Sequence, residues 1–565
     1  MTGKPWLAHY DPAVPKTLAP YPRRTLIDLV GDAARRRPEH PALLFHGASL
    51  TYSELDRLSD ALAVALLQMG IRSGDRVTLL MPNCPNLIIA QLGAWKAGAI
   101  VSPLNPLYAE QELEHALEET GSVLAITLTP YYAGLKAIQP RTSIKRIIAT
   151  SIKEFLTFTD RMLFTLFKER KEGHQVKLEQ GDLWLHDLLE RHAGARPTTV
   201  PVEPEAPALL MFTGGTTGRS KAALSSHQAL LMSGLQIRAW LAGIREDWKD
   251  VTLLLMPMFH TYGNVGAFSA AVVSHNTMVP IADPRDLKDL IQTIEQTRPS
   301  YLCGVPTLFS ALFNHPQVMA GQVDFSSIKL CLCGAAALML ETKRRFETLT
   351  GGRIVEGYAL TETVMGAVAT PVQGVYKEGA VGLPLPDVEI RIVDQCDGLT
   401  VLPPGEIGEI LFRAPQMMLG YWKRPEATSE TIRAGWLYTG DLGYMDEDGY
   451  LYLVDRVKDV IKPSGFQVWP REVEEVLTAH PAVNEAGVAG IPDPDAGEAV
   501  KAWVVRTDKQ EVSESELRTY CRKQLTAYKV PKHVEFVDSL PKSAVGKVLR
   551  RKLASAESVG RPVLT

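Results

Sequence analysis

From residue 75 the chain alternates in a way that only a layered parallel sheet satisfies. Val77 to Leu80 is a short apolar run, Asn86 to Ala97 carries helical spacing, and Ile100 to Ser102 reads as a second strand. Glu110 to Thr120 then reads as a helix and Val123 to Leu128 as a third strand. Strand, helix, strand, helix, strand requires crossover connections, so the strands run parallel with helices covering the faces. Similar units follow, with strand-like VTLLLMP (Val251 to Pro257) and IKLCLCG (Ile328 to Gly334) around helix-like DLKDLIQTIEQ (Asp286 to Gln296). No repeat of fixed period is present. Between about 387 and 454 the helical spacing disappears, and short alternating runs such as VEIRIVD, GEIGEILFR and GYLYLVD predict a small β-rich subdomain. After Asp455 come a helix (REVEEVL), a strand (VKAWVVR), a helix opened by the capping box Ser513 to Glu516, and a strand (HVEFVDSL). The expected fold is α/β: a large N-terminal region, 1–454, of parallel βαβ-type sheets with a β-rich subdomain at about 387–454, a hinge at 455–458, and a C-terminal α+β domain, 459–565.

A length of 565 residues supports two or more domains. With 60 basic against 64 acidic residues, the charge balance carries no nucleic-acid footprint. The cysteines, at 84, 303, 331, 333, 396 and 521, form no C-x-x-C pair, and no histidine cluster has metal-ligand spacing, so a reduced, cytoplasmic chain without structural zinc is expected. The first residues lack the apolar core of a signal peptide, and no apolar run reaches the roughly 18 residues of a spanning helix.

Directly after the apolar run LLM stands FTGGTTGRSK, residues 212 to 221. Glycines at 214, 215 and 218 let backbone N–H groups approach an anion closely. Hydroxyls at Thr213, Thr216 and Thr217 add donors, and Lys221 supplies charge, a composition suited to a polyphosphate. The bland alternative is a solvent loop. The ordinary P-loop pattern does not fit, because five residues on from Gly214 stands Arg219 where that motif needs glycine.

Five further stretches accompany it: PMFHTYG (257–263), GYALTET (357–363), YTGD (438–441), DRVKDVIKPSGFQVWPREVE (455–474) and PKSAVGK (541–547). Together they resemble the adenylate-forming superfamily of acyl-CoA and aryl-CoA synthetases, luciferases and peptide-synthetase adenylation domains, in that family's motif order from about residue 20 to 552. The family's phosphate loop usually reads T-S-G-T-T-G-x-P-K, and this chain departs from it at Gly214 and Ser220. The resemblance implies ATP, Mg²⁺ and CoA as reactants, with a fatty acid activated through an acyl-adenylate and passed to CoA, and a C-terminal domain that swings between the two half-reactions.

Residue by residue, the resemblance assigns nucleotide binding to Thr213, Gly214, Gly215, Thr216, Thr217, Gly218 and Lys221, to Gly334, Ala335 and Gly357, and to Tyr358 as an adenine-stacking ring. Thr361 and Glu362 offer hard oxygens, Glu362 and Thr216 being the Mg²⁺ candidates. Asp441 is a ribose acceptor, Arg456 belongs to the ribose region, and Lys458 to the pivot. Lys547 is implied to stabilise charge between the carboxylate and the α-phosphate. Lys462, with Ser464 and Gly465, is implied to line the thiol's approach. His260 is implied to line the channel between carboxylate and thiol, and its presence where amino-acid-activating members carry aspartate argues against an amino-acid substrate. Small residues at Gly304 to Thr307 and Cys333 to Ala336 are read as walls of the acyl and adenine pockets. Each residue also has a plain structural reading: a turn aspartate at 441, a solvated charge run at DRVKD, a packed core histidine at 260. The competing functions are an aryl-CoA ligase and a decayed nucleotide- or acyl-binding scaffold.

The stretch SIKEFLTFTDRMLFTLFKERKEG, 151 to 173, matches no shared motif. Wound as one helix, it places Phe155, Phe158, Met162, Leu163, Leu166 and Phe167 on one broad face, with Arg161 and Lys168 opposite. An interfacial helix has this pattern, and so does an amphipathic helix packed on its own domain. Insertions of this character resemble those of bacterial long-chain fatty acyl-CoA synthetases, which implies peripheral association with the inner membrane surface. The oligomeric state stays open, a homodimer being one option.

Overall fold

The computed structural model describes residues 3–198, 202–213, 220–334, 340–456, 459–463, 466–494, 496–507, 511–543, 546–550 and 552–554. The alternation near residue 75 builds the first of three sheets. Its order is Gly420–Tyr421, Lys221–Ser226, Pro207–Thr213, Ile100–Leu104, Arg76–Leu80, Leu124–Leu128, Arg146–Thr150 and Leu183–Trp184. Val77 lies opposite both Val101 and Leu124 in parallel register. Only the edge formed by 207–213, 221–226 and 420–421 runs antiparallel.

The helix Pro85–Lys96 is buried along its whole length. It carries no charged outer face because it is a core element rather than a surface helix. Glycine at 93 permits this: a Cβ there would stand 2.8 Å from Leu62 Cδ2 on the helix Tyr52–Gln68. The latter helix starts at a complete capping box, Thr51 with Glu54.

The second sheet has a parallel half, Pro41–Phe45, Thr277–Pro280, Val251–Leu254, Tyr301–Gly304, Leu330–Cys333 and Arg353–Tyr358. The β-rich segment continues this same sheet in antiparallel pairing. Val368–Ala369 and Ala380–Pro384 bridge to Leu451–Arg456, Trp436–Met445, Gly408–Arg413 and Glu389–Val393. One expectation there is corrected, since the segment also holds a helix, Pro425–Thr431. Proline at its first position, with φ already helical, starts a turn that too few apolar residues mark in sequence.

The third sheet, Val483–Asp493, Gly497–Arg506 and His533–Phe536, packs with the helices Pro470–Thr478 and Glu514–Arg522 around a core of its own. Ser513 and Glu516 form the capping box read from the sequence.

Residues 151–173 do not wind as one helix. Ile152–Phe155 is a 3-10 turn, Thr157 accepts from Asp160 N–H and opens a fresh α-helix at Phe158–Leu163, and Phe164–Lys168 widens to a π-helix. The change of pitch turns Phe164 inward, where its ring meets His174 edge-on at 5.0 Å, and Phe155 packs on the core. Phe158, Met162, Leu163, Leu166 and Phe167 stay exposed, at 78, 51, 49, 69 and 71%. Among the described residues no helix is long and apolar enough to cross a membrane, and all six cysteines are free.

Candidate active site

In open α/β sheets ligands bind beyond the carboxyl ends of the strands, and the candidate residues converge there. Thr213 ends Pro207–Thr213, Gly304 ends Tyr301–Gly304, Gly334 follows Leu330–Cys333, and Gly357 and Tyr358 close Arg353–Tyr358.

The hydroxyl- and glycine-rich loop joins two antiparallel strands, with Thr213 opposite Lys221 and the Thr213 hydroxyl donating to the Lys221 carbonyl at 3.3 Å. Gly214, Gly215, Thr216, Thr217 and Gly218 lie outside the described residues, as do Ala335, Lys458, Ser464 and Gly465. Lys221 sets its ammonium 4.7 Å from the centre of the Tyr421 ring. The Tyr421 hydroxyl donates to Glu362 Oε1 at 2.6 Å. Strand Gly420–Tyr421 makes this possible by crossing to pair with Lys221–Ser226. Cation, phenol and carboxylate thereby form one chain. Burial raises the Glu362 carboxyl above the usual range, and the Tyr421 donor opposes that shift.

Immediately after Glu362 and Thr363 the backbone turns left-handed for three residues, Val364 (φ 53°), Met365 (φ 64°) and Gly366 (φ 47°). A β-branched residue there is strained by about 1–3 kcal/mol. Its surroundings hold it: Val364 is fully buried, and Gln416 Nε2 donates to the Gly366 carbonyl at 2.7 Å.

A second chain runs beside the first. Tyr358 donates its hydroxyl to Asp441 Oδ2 at 2.6 Å, and Arg456 Nε stands 2.9 Å from Asp441 Oδ1. Asp441 and Arg456 are cross-strand partners on Trp436–Met445 and Leu451–Arg456. Burial and the Asp441 charge together hold the Tyr358 phenol well above its ordinary range. Arg456 and Asp441 are among the charges that act on Lys547, which the small domain carries. Its loop lies on the large domain, since a Cβ at Gly546 would be 3.4 Å from Thr307 Oγ1. Protein atoms around the ammonium, with Arg456 adding repulsion, push the Lys547 pKa down to about 8. The side chain still reaches solvent, which screens part of this repulsion.

His260 sits at the mouth of a π-helix, Tyr262–Ser269, with Nδ1 accepting from the Tyr262 N–H at 3.2 Å. Burial pushes its pKa down to about 4, which makes it a neutral imidazole with the proton assigned to Nε2. Tyr262 donates to the carbonyls of Leu332 (2.6 Å) and Gly304 (3.2 Å), closing the ends of two strands. A Cβ at Gly334 would fall 3.5 Å from the Gly357 carbonyl and 3.6 Å from the Tyr262 ring. Thr361 is partly exposed beside Glu362. Lys462 stands apart: it is exposed on the small domain, its backbone N–H donating to Glu498.

Sequence reading missed three supporting residues. Tyr421 and Gln416 act across fifty or more residues of chain, and buried Asn83 staples the turn leading to His260. The Asn83 amide donates to the carbonyls of Leu254 and Met256, both at 2.9 Å, and its oxygen accepts from Met258 N–H at 2.8 Å. The Pro-Asn-Cys-Pro stretch was the only local signal for Asn83.

Residues 30–422 match the AMP-binding enzyme family and residues 472–547 its C-terminal domain. A long-chain-fatty-acid–CoA ligase from Bacillus subtilis is 39% identical over 562 residues, covering 98% of each chain. One from Escherichia coli is 37% identical, covering 97% of this chain and 98% of its own. Among solved structures, ATP-bound MatB from Rhodopseudomonas palustris superposes with a TM-score of 0.82 at 28% identity, over 95% of this chain and 100% of its own. With both domains matched in order, the chain belongs to the AMP-binding enzyme family.

Proposed function

We propose that the protein is an ATP-dependent acyl-CoA ligase acting on medium- to long-chain fatty acids, releasing AMP and pyrophosphate. The single observation that carries this reading is the seating of the Gly546–Lys547 loop of the small domain against Thr307 of the large domain, where the charges of Asp441 and Arg456 act on the lysine. That arrangement sets a cation beside a ribose-type acceptor, as attack of a carboxylate on an α-phosphate requires. Names carried by the relatives, long-chain-fatty-acid–CoA ligases, favour fatty over aromatic acids.

In this reading Asp441 orients the ribose, Tyr358 flanks the base, and Lys221 with the loop before it faces the phosphates. Lys547 offsets the charge that builds as the acid's oxygen bonds to phosphorus and pyrophosphate leaves. The small domain then turns, bringing Lys462 with Ser464 and Gly465 to the thiol's approach, and neutral His260 lines the path without adding charge. Among the described residues no cluster of three or more His, Cys, Asp or Glu could cage a metal. Mg²⁺ would rest on Glu362 together with Thr216 and phosphate oxygens, a set of hard oxygens that suits it. When bound, it neutralises phosphate charge.

The exposed apolar segment fits a lipid surface from which long acyl chains are collected. Asp160 caps its own helix through Thr157, and Glu169 pairs with Lys153, which consumes two of the segment's acids. Phe158→Glu with Leu166→Glu would then lower vesicle association and weaken turnover of long chains more than short ones.

The deciding experiment is ATP-dependent CoA thioester formation across straight-chain, branched and aromatic acids. Thioester with medium and long straight chains supports the proposal. Preference for aromatic acids transfers it to the aryl-CoA class, and no pyrophosphate with any acid leaves a decayed scaffold.

A further inference from the structure

Arg550 stands three residues beyond Lys547, and its guanidinium engages three carboxylates. Nε and Nη2 bind the two oxygens of Glu474 at 2.9 and 2.6 Å, while Nη1 reaches Asp459 Oδ2 at 3.3 Å and Asp455 Oδ1 at 3.0 Å. These partners divide at the sequence-predicted hinge. Glu474 and Asp459 follow it and travel with the small domain. Asp455 is the first residue of that hinge and still sits on the large-domain strand Leu451–Arg456.

The Asp455 side chain is 1% exposed. Its Oδ1 also accepts from Arg456 N–H at 2.8 Å, and its Oδ2 accepts from Arg471 N–H, at the start of helix Pro470–Thr478, at 2.9 Å. Arg471 Nη1 adds a longer bond to the Leu453 carbonyl, 3.3 Å. One large-domain carboxylate therefore receives two separate elements of the small domain.

The segment bearing Lys547 is in turn rigidly tied to Arg550. Lys542 bridges Val548, Ser543 N–H donates to the Lys547 carbonyl at 2.8 Å, and Leu549 N–H donates to the Pro541 carbonyl at 2.8 Å. Fixing Arg550 fixes this small hairpin, and with it the place of Lys547.

We propose that Arg550 is a positioning residue for Lys547, and that its ion pair with Asp455 is the releasable latch holding the small domain in its adenylating orientation. The inference rests on the acyl-CoA ligase reading above. Its logic lies in the uneven division of partners. When the small domain turns, Arg550 keeps Glu474 and Asp459 and gives up only Asp455, which rotation uncovers to water. Neither charge is then left buried and unpaired, the outcome that makes breaking a buried pair costly. Arg456, at the next position along, pairs with Asp441, so the latch lies on the strand next to the one that carries the ribose acceptor.

The test measures the two half-reactions separately on the full-length protein. One is pyrophosphate release from a fatty acid and ATP, the other thioester formation from supplied acyl-adenylate and CoA. Asp455→Asn keeps the shape, removes the charge and leaves the small domain's own ion pairs intact. It should lower the first rate about tenfold while the second is unchanged or faster, a shift of population between two orientations. Arg550→Lys keeps a cation without the planar fork, should show the same split to a smaller degree, and reports independently if the first variant does not fold. Equal loss in both half-reactions, or an unchanged ratio, overturns the latch. A parent protein that performs neither half-reaction overturns the ligase reading and the latch with it; an active parent whose variants keep the ratio overturns the latch alone.

Discussion

The two domains offer their polar groups to the site in opposite ways. On the large domain, Tyr358, Glu362 and Asp441 stand at strand ends or strained turns, each already bonded to a neighbour on another element. On the small domain, Lys547 and Lys462 are exposed, and the Lys547 segment is held by the ion pairs of Arg550 rather than by the lysine itself. The first arrangement suits groups that hold a nucleotide throughout a cycle. The second suits charges required for one step and withdrawn afterwards.

The comparison breaks most visibly at Lys547. Lys547→Ala should lower adenylation by about 10²–10³, read as pyrophosphate release, while thioester formation from preformed acyl-adenylate survives. Equal loss in both would mean that this lysine stays in place like the large-domain groups. Next comes pH. In the proposed role the cation is the active form, and its pKa is depressed to about 8. Adenylation should therefore be complete below that value and fall roughly tenfold per unit above it, instead of near the ordinary lysine value of about 10.4. A rate profile flat to pH 10 would show an ammonium as well hydrated as any surface lysine. Asp441→Ala should raise KM for ATP about tenfold with a smaller change in kcat, since a charged acceptor is lost from a binding role; a purely kcat effect would move Asp441 to the other side of the comparison. Smallest is Tyr421→Phe, which keeps the ring beneath Lys221 but removes the donor to Glu362. The Mg²⁺ concentration for half-maximal rate should rise roughly fivefold, the worth of about 1 kcal/mol, and no change in Mg²⁺ titration would detach Glu362 from the metal.

Much of the scaffold was legible because local pattern and tertiary role agree. The helix Glu110–Thr120 has the bounds read from its sequence, and the strand Arg76–Leu80 begins one residue earlier than its apolar run. The illegible parts are those in which distance along the chain decides. Nothing in YWKRP announces that Tyr421 will donate to a carboxylate fifty-nine residues away, because that contact exists only once its strand has crossed to the other sheet. The π-helix at Tyr262–Ser269 has no periodic signature, being wider than the 3.6-residue repeat that sequence spacing detects. In 151–173 the apolar spacing was real, but a second cap at Thr157 and a wider turn after it replaced one helix by three pieces. The motif residues were legible as a set; which of them touch was not.

Both oxygens of Asp441 are engaged before any nucleotide arrives, Tyr358 on one and Arg456 on the other, and each keeps a lone pair to spare. In the proposed role, a ribose arriving there competes with Tyr358 and Arg456 for a carboxylate they already hold, so the heat released on nucleotide binding is bonds made less bonds weakened. Titration calorimetry should accordingly register a modest enthalpy from this contact, and the gain at Asp441 becomes one of discrimination, since a sugar lacking its hydroxyls surrenders nothing and recovers nothing.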